Sequence, residues 1–434
     1  MRDLVAIACA SLLATSCGKS TQKRTDRDAA AVQVVTQVSG DGGTAAQATD
    51  EVEPNDGDDT ATALALGASV RAKIEPETDV DTFKISVTET GALAVEVSAI
   101  DGVDLILEVE DVGGAVLAKS DRGGARIKEG VANLGVSPGT YRAVVKMKKA
   151  PPPKATKPKK GAKPVIDAGI EVIPAPVYEI SARMLPPAAN AEREPDDDRG
   201  TALDLIVGDA VTGFVGWSGD ADVWKLSVET LSEKNAIDIE VGAVEGVALS
   251  IDVTDGIGNP LVARKGPRGQ PLVVRGIVPI VPDGAPPFHY VTIKGDRSNP
   301  ETPYQLRVVA KIPQPDAEIE PNDTPEKAMP IPSDRTVVHA VFTPGDIDCF
   351  AVGTDANPRT VDVTIDVPTE SDLDVELLVD GKSVGKGDKK GKGVAEKVTG
   401  QVPANARAVI RVKGTDASGE GTYDVQIAEG PAAP

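Results

Sequence analysis

The sequence predicts an all-β protein: three tandem two-sheet β-sandwiches following a disordered N-terminal tether. Three observations predict it. A six-residue phrase occurs three times, as Glu51-Val52-Glu53-Pro54-Asn55-Asp56, Glu192-Arg193-Glu194-Pro195-Asp196-Asp197 and Glu318-Ile319-Glu320-Pro321-Asn322-Asp323. An Asp-x-Asp-x-aromatic signature follows each copy: Asp79-Val80-Asp81-Thr82-Phe83, Asp220-Ala221-Asp222-Val223-Trp224 and Asp346-Ile347-Asp348-Cys349-Phe350. The second Glu and the first Asp are 26 residues apart every time (53 to 79, 194 to 220, 320 to 346), which marks one structural unit used three times. Around these signatures run short segments with Val and Ile at period two, broken by Gly, Pro, Asn and Asp, the pattern of antiparallel strands. About seven or eight such strands per unit is the number a two-sheet sandwich needs.

In chain order, the first element is an export signal over residues 1–16. Arg2 opens a short charged start, residues 4–13 are almost wholly apolar, and Ala14-Thr15-Ser16-Cys17 follows. A Cys directly after small residues resembles the lipobox of bacterial lipoproteins, with Ala14 where that family usually has Leu. The resemblance implies cleavage before Cys17, acylation of its thiol and attachment to a membrane through the lipid. Gly18 after the Cys implies the outer membrane of a Gram-negative cell, facing the periplasm or the surface. An ordinary cleaved signal with a free Cys17 is the alternative. Residues 17–50 then read as acylated Cys and flexible tether, since 18–50 are rich in Ala, Thr, Gln, Asp and Gly with no sustained apolar period. Such a coil spans about 30 Å on average.

The first sandwich is expected over 51–187, with strands at 82–87, 93–98, 105–109 and 141–147 and a Lys/Pro-rich insertion at about 148–165. Proline removes backbone donors and favours extended geometry, so that insertion reads as a stiff, exposed basic loop. The second sandwich is expected over 190–311 and the third over 316–430, with strands at 361–367, 375–379, 408–412 and 423–427. Residues 186–195 and 311–321 are then the joints. Past Cys9 and Cys17 the sole thiol is Cys349, so no disulfide framework is open to the mature chain. Cys349 takes the slot of Thr82 and Val223 and reads as a structural strand position.

A formal charge of −21 argues against a nucleic-acid partner and suits a surface protein or a cation binder. Aromatics are 3% of residues, thin for a carbohydrate binder that needs stacking platforms. The sequence contains no His-Glu-x-x-His and no complete phosphate loop. The two histidines, His289 and His339, lie in apolar strand-like surroundings and read as structural.

The acidic signature has a specific chemical use. Calcium takes six to eight oxygen ligands from carboxylates, amides, carbonyls and water. In an extended segment, side chains two apart project to one side, so Glu51, Glu53 and Asn55 can converge, and Asp79 and Asp81 share a face. The bland reading is that these acids cap turns and satisfy backbone donors. The repeated residues resemble the bacterial pre-peptidase C-terminal domain family, through the Glu-Pro-Asn-Asp opening, the Asp-x-Asp-x-aromatic strand and the Gly-Thr-Tyr at 139–141 and 421–423. The resemblance implies a jelly-roll-like sandwich, secretion, structural Ca2+ at the opening in some members, and no catalysis. Carried over, the ligand set is Glu51, Glu53, Asn55, Asp56, Asp79 and Asp81 in the first copy and Glu318, Glu320, Asn322, Asp323, Asp346 and Asp348 in the third. The second copy offers Glu192, Glu194, Asp196, Asp197, Asp220 and Asp222, with Asp196 replacing Asn and Arg193 between the two Glu residues.

The expected function is a non-catalytic envelope lipoprotein, a calcium-stiffened binding or scaffold protein that meets an unidentified protein or envelope polymer. Trp217 is the residue expected to contact a partner, because Pro76 and Thr343 fill its slot elsewhere. The alternatives are an adhesin or accessory array beside a secreted protease, and a passive spacer. Chelation is expected to open both joints to protease.

Overall fold

Val and Ile alternate with polar residues over most of the chain, and in the computed structural model those stretches are strands. The structure describes residues 48–124, 126–148, 177–186, 188, 190–232, 234–415 and 419–432. The export signal, Cys17, almost all of the tether and most of the Lys/Pro insertion lie outside the described residues.

The described residues contain no helix, and their strands form six sheets that pair into three sandwiches. In the first, Ser69–Lys73, Val177–Met184, Gly91–Val97 and Glu129–Val136 face Val80–Val87, Gly139–Met147, Leu105–Glu110 and Val116–Ser120. The second sets Ala210–Val215, Asn299–Lys311, Ala236–Val241 and Leu272–Ile277 against Ala221–Ser227, Phe288–Gly295, Leu249–Asp255 and Pro260–Lys265. The third sets Val337–Phe342, Gly421–Pro431, Arg359–Asp366 and Glu396–Val402 against Ile347–Val352, Ala408–Gly414, Leu373–Val379 and Lys382–Gly387. In each, successive strands cross between sheets except at one hairpin, the jelly-roll-like winding of eight strands.

Inward-facing residues of both sheets make one apolar core per sandwich, the outcome that period-two patterning dictates. The aromatic that ends each signature is at its centre: Phe83, Trp224 and Phe350 are buried. Beside each lies a short parallel edge strand, registered through Thr62↔Phe83, Leu203↔Trp224 and Met329↔Phe350. That pairing carries Leu64, Leu205 and Ile331 into the core. Cys349 is buried against Leu378 and Val409, and burial pushes its thiol up to about 12.

The joints are straps. Ala191 bridges Thr212 of its own sandwich while Glu194 bridges Leu134 of the preceding one. Likewise Ala317 bridges His339 and Glu320 bridges Ile277. At the first opening Thr49–Asp50 pairs in parallel with Val70 and Arg71 of its own sandwich.

Candidate metal centre

The repeated phrase runs extended across the end of its sandwich, and the Glu–Pro bond within it is cis in all three copies. In the second copy exposure alternates as parity requires: Glu192, Glu194 and Asp196 are buried while Arg193 and Pro195 are exposed. Arg193 therefore points away from the acids. Backbone bonds then lock the phrase to the signature strand. Asn55 O accepts from Thr82 N at 3.0 Å, Asp196 O from Val223 N at 3.1 Å and Asn322 O from Cys349 N at 3.1 Å. The constant sequence spacing is the length of chain needed to return to this contact.

Side chains repeat the pattern. The second Glu accepts from the backbone N–H two residues on, Glu53 from Asn55 at 2.9 Å, Glu194 from Asp196 at 2.9 Å and Glu320 from Asn322 at 2.7 Å. The first Glu accepts from a strand N–H, Glu51 from Lys73 at 2.6 Å, Glu192 from Phe214 at 2.9 Å and Glu318 from Val341 at 2.9 Å. The second Asp of each signature accepts from a buried tyrosine: Asp81 from Tyr178 at 2.5 Å, Asp222 from Tyr304 and Asp348 from Tyr423. These tyrosines are the ones at equivalent positions. Tyr141, matched to Tyr423 by its Gly-Thr-Tyr context, instead bonds Ser137 in a surface turn.

In the first copy Glu51, Glu53 and Asp81 bring one oxygen each within 4.8 Å of one another. The Asn55 amide oxygen and one Asp81 oxygen are buried beside them and accept no hydrogen bond. Asp79 is partly engaged elsewhere, accepting from Glu75 N at 2.7 Å, and Asp56 is exposed. Burial pushes the Asp81 carboxyl up to about 8, with the charges of Glu51 and Asp79 adding to it and the Tyr178 bond opposing it.

The second copy is the most enclosed. Glu192, Glu194, Asp196 and Asp222 form one cluster, and Glu194, Asp197 and Asp220 another. Both oxygens of Asp196 and one each of Glu194, Asp220 and Asp222 are buried without a hydrogen-bond donor. Burial first, and then the Glu194 charge, pushes the Asp196 and Asp220 carboxyls up. For Asp222 the second cause is Glu192. Gly213 lies against this site because a Cβ there would strike Glu192 and Tyr304.

In the third copy Glu320, Asp323 and Asp346 converge, but on a guanidinium. Arg264, buried and contributed by the second sandwich, pairs with Glu320 and Asp346 and with Asp323 at 3.0 Å. Burial would lower its pKa, yet Asp346, Glu320 and Asp323 hold it above its ordinary value. Burial still pushes Glu320 up to about 8. Only Asn322 and Asp348 keep a buried oxygen without a donor.

Hard oxygen donors with no Cys or His among them are the set that suits calcium, and raised carboxyl pKa values mark a shortage of positive charge. The first two copies fit such an ion. At the third, Arg264 already supplies the cation to three of the expected ligands.

The other sequence-predicted residues lie elsewhere. Trp217 is half-buried and packs on the core of the first sandwich. His289 is buried with its pKa lowered by burial, and His339 is surface-exposed, bonding Asp424 at 2.6 Å. Asn133, Arg264 and the three tyrosines were not legible as site residues.

Comparison with known protein families and with curated proteins finds no match. Among solved structures the chain is similar to the pre-peptidase C-terminal domain of a collagenase from Bacillus anthracis, at 17% identity over 28% of this chain and 94% of that one, with a TM-score of 0.20. It is also similar to the N-terminal CBM22-1–CBM22-2 tandem domain of Xyn10C from Paenibacillus barcinonensis, at 11% identity over 47% of this chain and 81% of that one, with a TM-score of 0.16.

Proposed function

We propose that this protein is a non-catalytic binding or scaffold protein of the cell envelope, held to the outer membrane through Cys17 and stiffened by Ca2+ at the leading edges of its sandwiches. The observation that carries the metal reading is the set of buried oxygens without donors at the openings, Asn55 and Asp81 in the first copy and Glu194, Asp196, Asp220 and Asp222 in the second. Leaving buried carboxylates unpaired costs several kcal/mol or forces protonation, and a divalent cation removes both costs. The same acids recur at the same place in each unit, which suits a structural ion better than one reacting centre. The membrane attachment rests on the residues around Cys17.

The exposed large apolar side chains among the described residues are all aliphatic, Val52, Val112, Ile206 and Ile312 among them. That composition favours a scaffold over a partner site built on stacked aromatics. The expected outcome is a higher melting temperature in millimolar Ca2+ than in chelator, and more protease cutting at 186–195 once the ion is withdrawn. Identical melting curves and digestion patterns in both conditions would sink the metal reading and leave a spacer.

A further inference from the structure

Each later opening is completed from outside its own sandwich. In the first and third copies the Asn of the phrase donates to the first Glu, Asn55 Nδ2 to Glu51 at 3.1 Å and Asn322 Nδ2 to Glu318 at 2.9 Å. Asp196 has no amide N–H for that role. The donor to Glu192 is instead Asn133 Nδ2 at 2.6 Å, from the edge strand of the first sandwich. Asn133 is 1% exposed, and its amide oxygen accepts no hydrogen bond. That oxygen lies near the acids: a Cβ on Gly216 would lie 3.5 Å from Asp220 Oδ2 and 4.0 Å from Asn133 Oδ1. Among the described residues no Lys or Arg pairs with the Glu192, Glu194, Asp196, Asp220 and Asp222 carboxylates.

The second joint has the same backbone frame with different side chains. Glu194 N donates to Asn133 O and Gly135 N to Glu194 O, while Glu320 N donates to Gly276 O and Val278 N to Glu320 O. Gly276 therefore stands where Asn133 stands. It holds φ of 74°, and a Cβ there would press Glu318 O at 3.0 Å, so no side chain enters from that position. Arg264 enters from Pro260–Lys265, the edge strand of the facing sheet. By strand register its slot is filled by Ser120 in the first sandwich and Gly387 in the third, so the guanidinium is peculiar to the second.

We propose that each joint's cation is chosen by the preceding sandwich: Asn133 Oδ1 joins the second opening's carboxylates as a ligand to a divalent ion bridging the first joint, and Arg264 takes that ion's place at the second. The first half rests on the metal reading above. The first joint is then dissociable and responds to calcium, whereas the second is fixed by an ion pair that needs none.

Titration of the full, chelator-stripped chain with Ca2+ alone, followed by calorimetry and by protease mapping, tests this. Wild type should bind two ions, and chelation should open 186–195 while leaving 311–321 unchanged. Asn133→Ala should weaken one of the two sites about tenfold or more, with Asn133→Asp retaining it. Arg264→Gln should gain a third ion, and Arg264→Lys should not. Three ions in wild type, unchanged affinities in Asn133→Ala, or a folded Arg264→Gln that still takes two would each overturn the proposal. Wild-type stoichiometry decides the matter even where Arg264→Gln does not fold. Binding of no ion by any variant is a separate result that removes the metal reading itself.

Discussion

Single atoms decide what these openings can hold. Asn55 and Asp196 occupy one position and differ by an amide against a carboxylate. That exchange removes a donor to the first Glu and leaves two buried oxygens without donors where Asn55 leaves one. Where a carboxylate has enough donors the effect reverses, as Asp255 shows. It is 2% exposed and accepts from the backbone N–H of Ile257, Gly258 and Asn259 at 3.0, 2.7 and 2.8 Å and from Asn259 Nδ2 at 2.8 Å. Burial raises its pKa, but the bonds from Asn259, Gly258 and Ile257 outweigh that and hold it below 3.8. A depressed folded pKa contributes stability above the unfolded value, and that contribution is lost as pH falls through the folded one. Asp255→Ala should therefore cost about 1–3 kcal/mol at pH 7. In urea titrations the deficit should shrink below pH 3.8, and a deficit constant from pH 7 to pH 3 would refute the assignment.

Among the elements, strands were readable and their partners were not. Period-two alternation located Val80–Val87, Leu373–Val379 and Ala408–Gly414 within two residues of their ends, because burying one face of a strand leaves a mark on every second residue. The closing strand of each unit carries Tyr178, Tyr304 or Tyr423 to the signature Asp, at sequence separations of 97, 82 and 75 residues. No local pattern encodes a pairing across so long a span. Tyr178→Phe keeps the ring packed edge-on against Phe83 but leaves an Asp81 oxygen without its donor. The expected loss is about 1–3 kcal/mol in thermal or urea unfolding. A silent substitution would mean that Asp81 is satisfied some other way.

For the whole molecule, joints matter more than sandwiches. The three cores are separate clusters, yet straps bridge one sandwich to the next and Trp217 of the second packs on the core of the first. Trp217→Ala should remove up to about 3 kcal/mol of apolar contact from the first joint and increase cutting at 186–195, with little change at 311–321. Digestion unaffected at both joints would place the indole's role outside the chain. A net charge of −21 makes such intramolecular contacts the more necessary, since acidic surfaces brought edge to edge repel unless a cation or an apolar anchor lies between them.

The sequence by itself determined the sandwich units, their strands, the buried aromatic anchors and the candidate acids, because alternation and exact repetition are local properties that survive in one dimension. Tertiary structure alone decided which acids meet, which tyrosine serves each Asp, and that Asn133 and Arg264 face their successors' openings. Those outcomes depend on how edge strands of neighbouring sandwiches come together. Asn133 is 59 residues from Glu192 and Arg264 is 56 from Glu320, and nothing in the residues between them specifies that they touch.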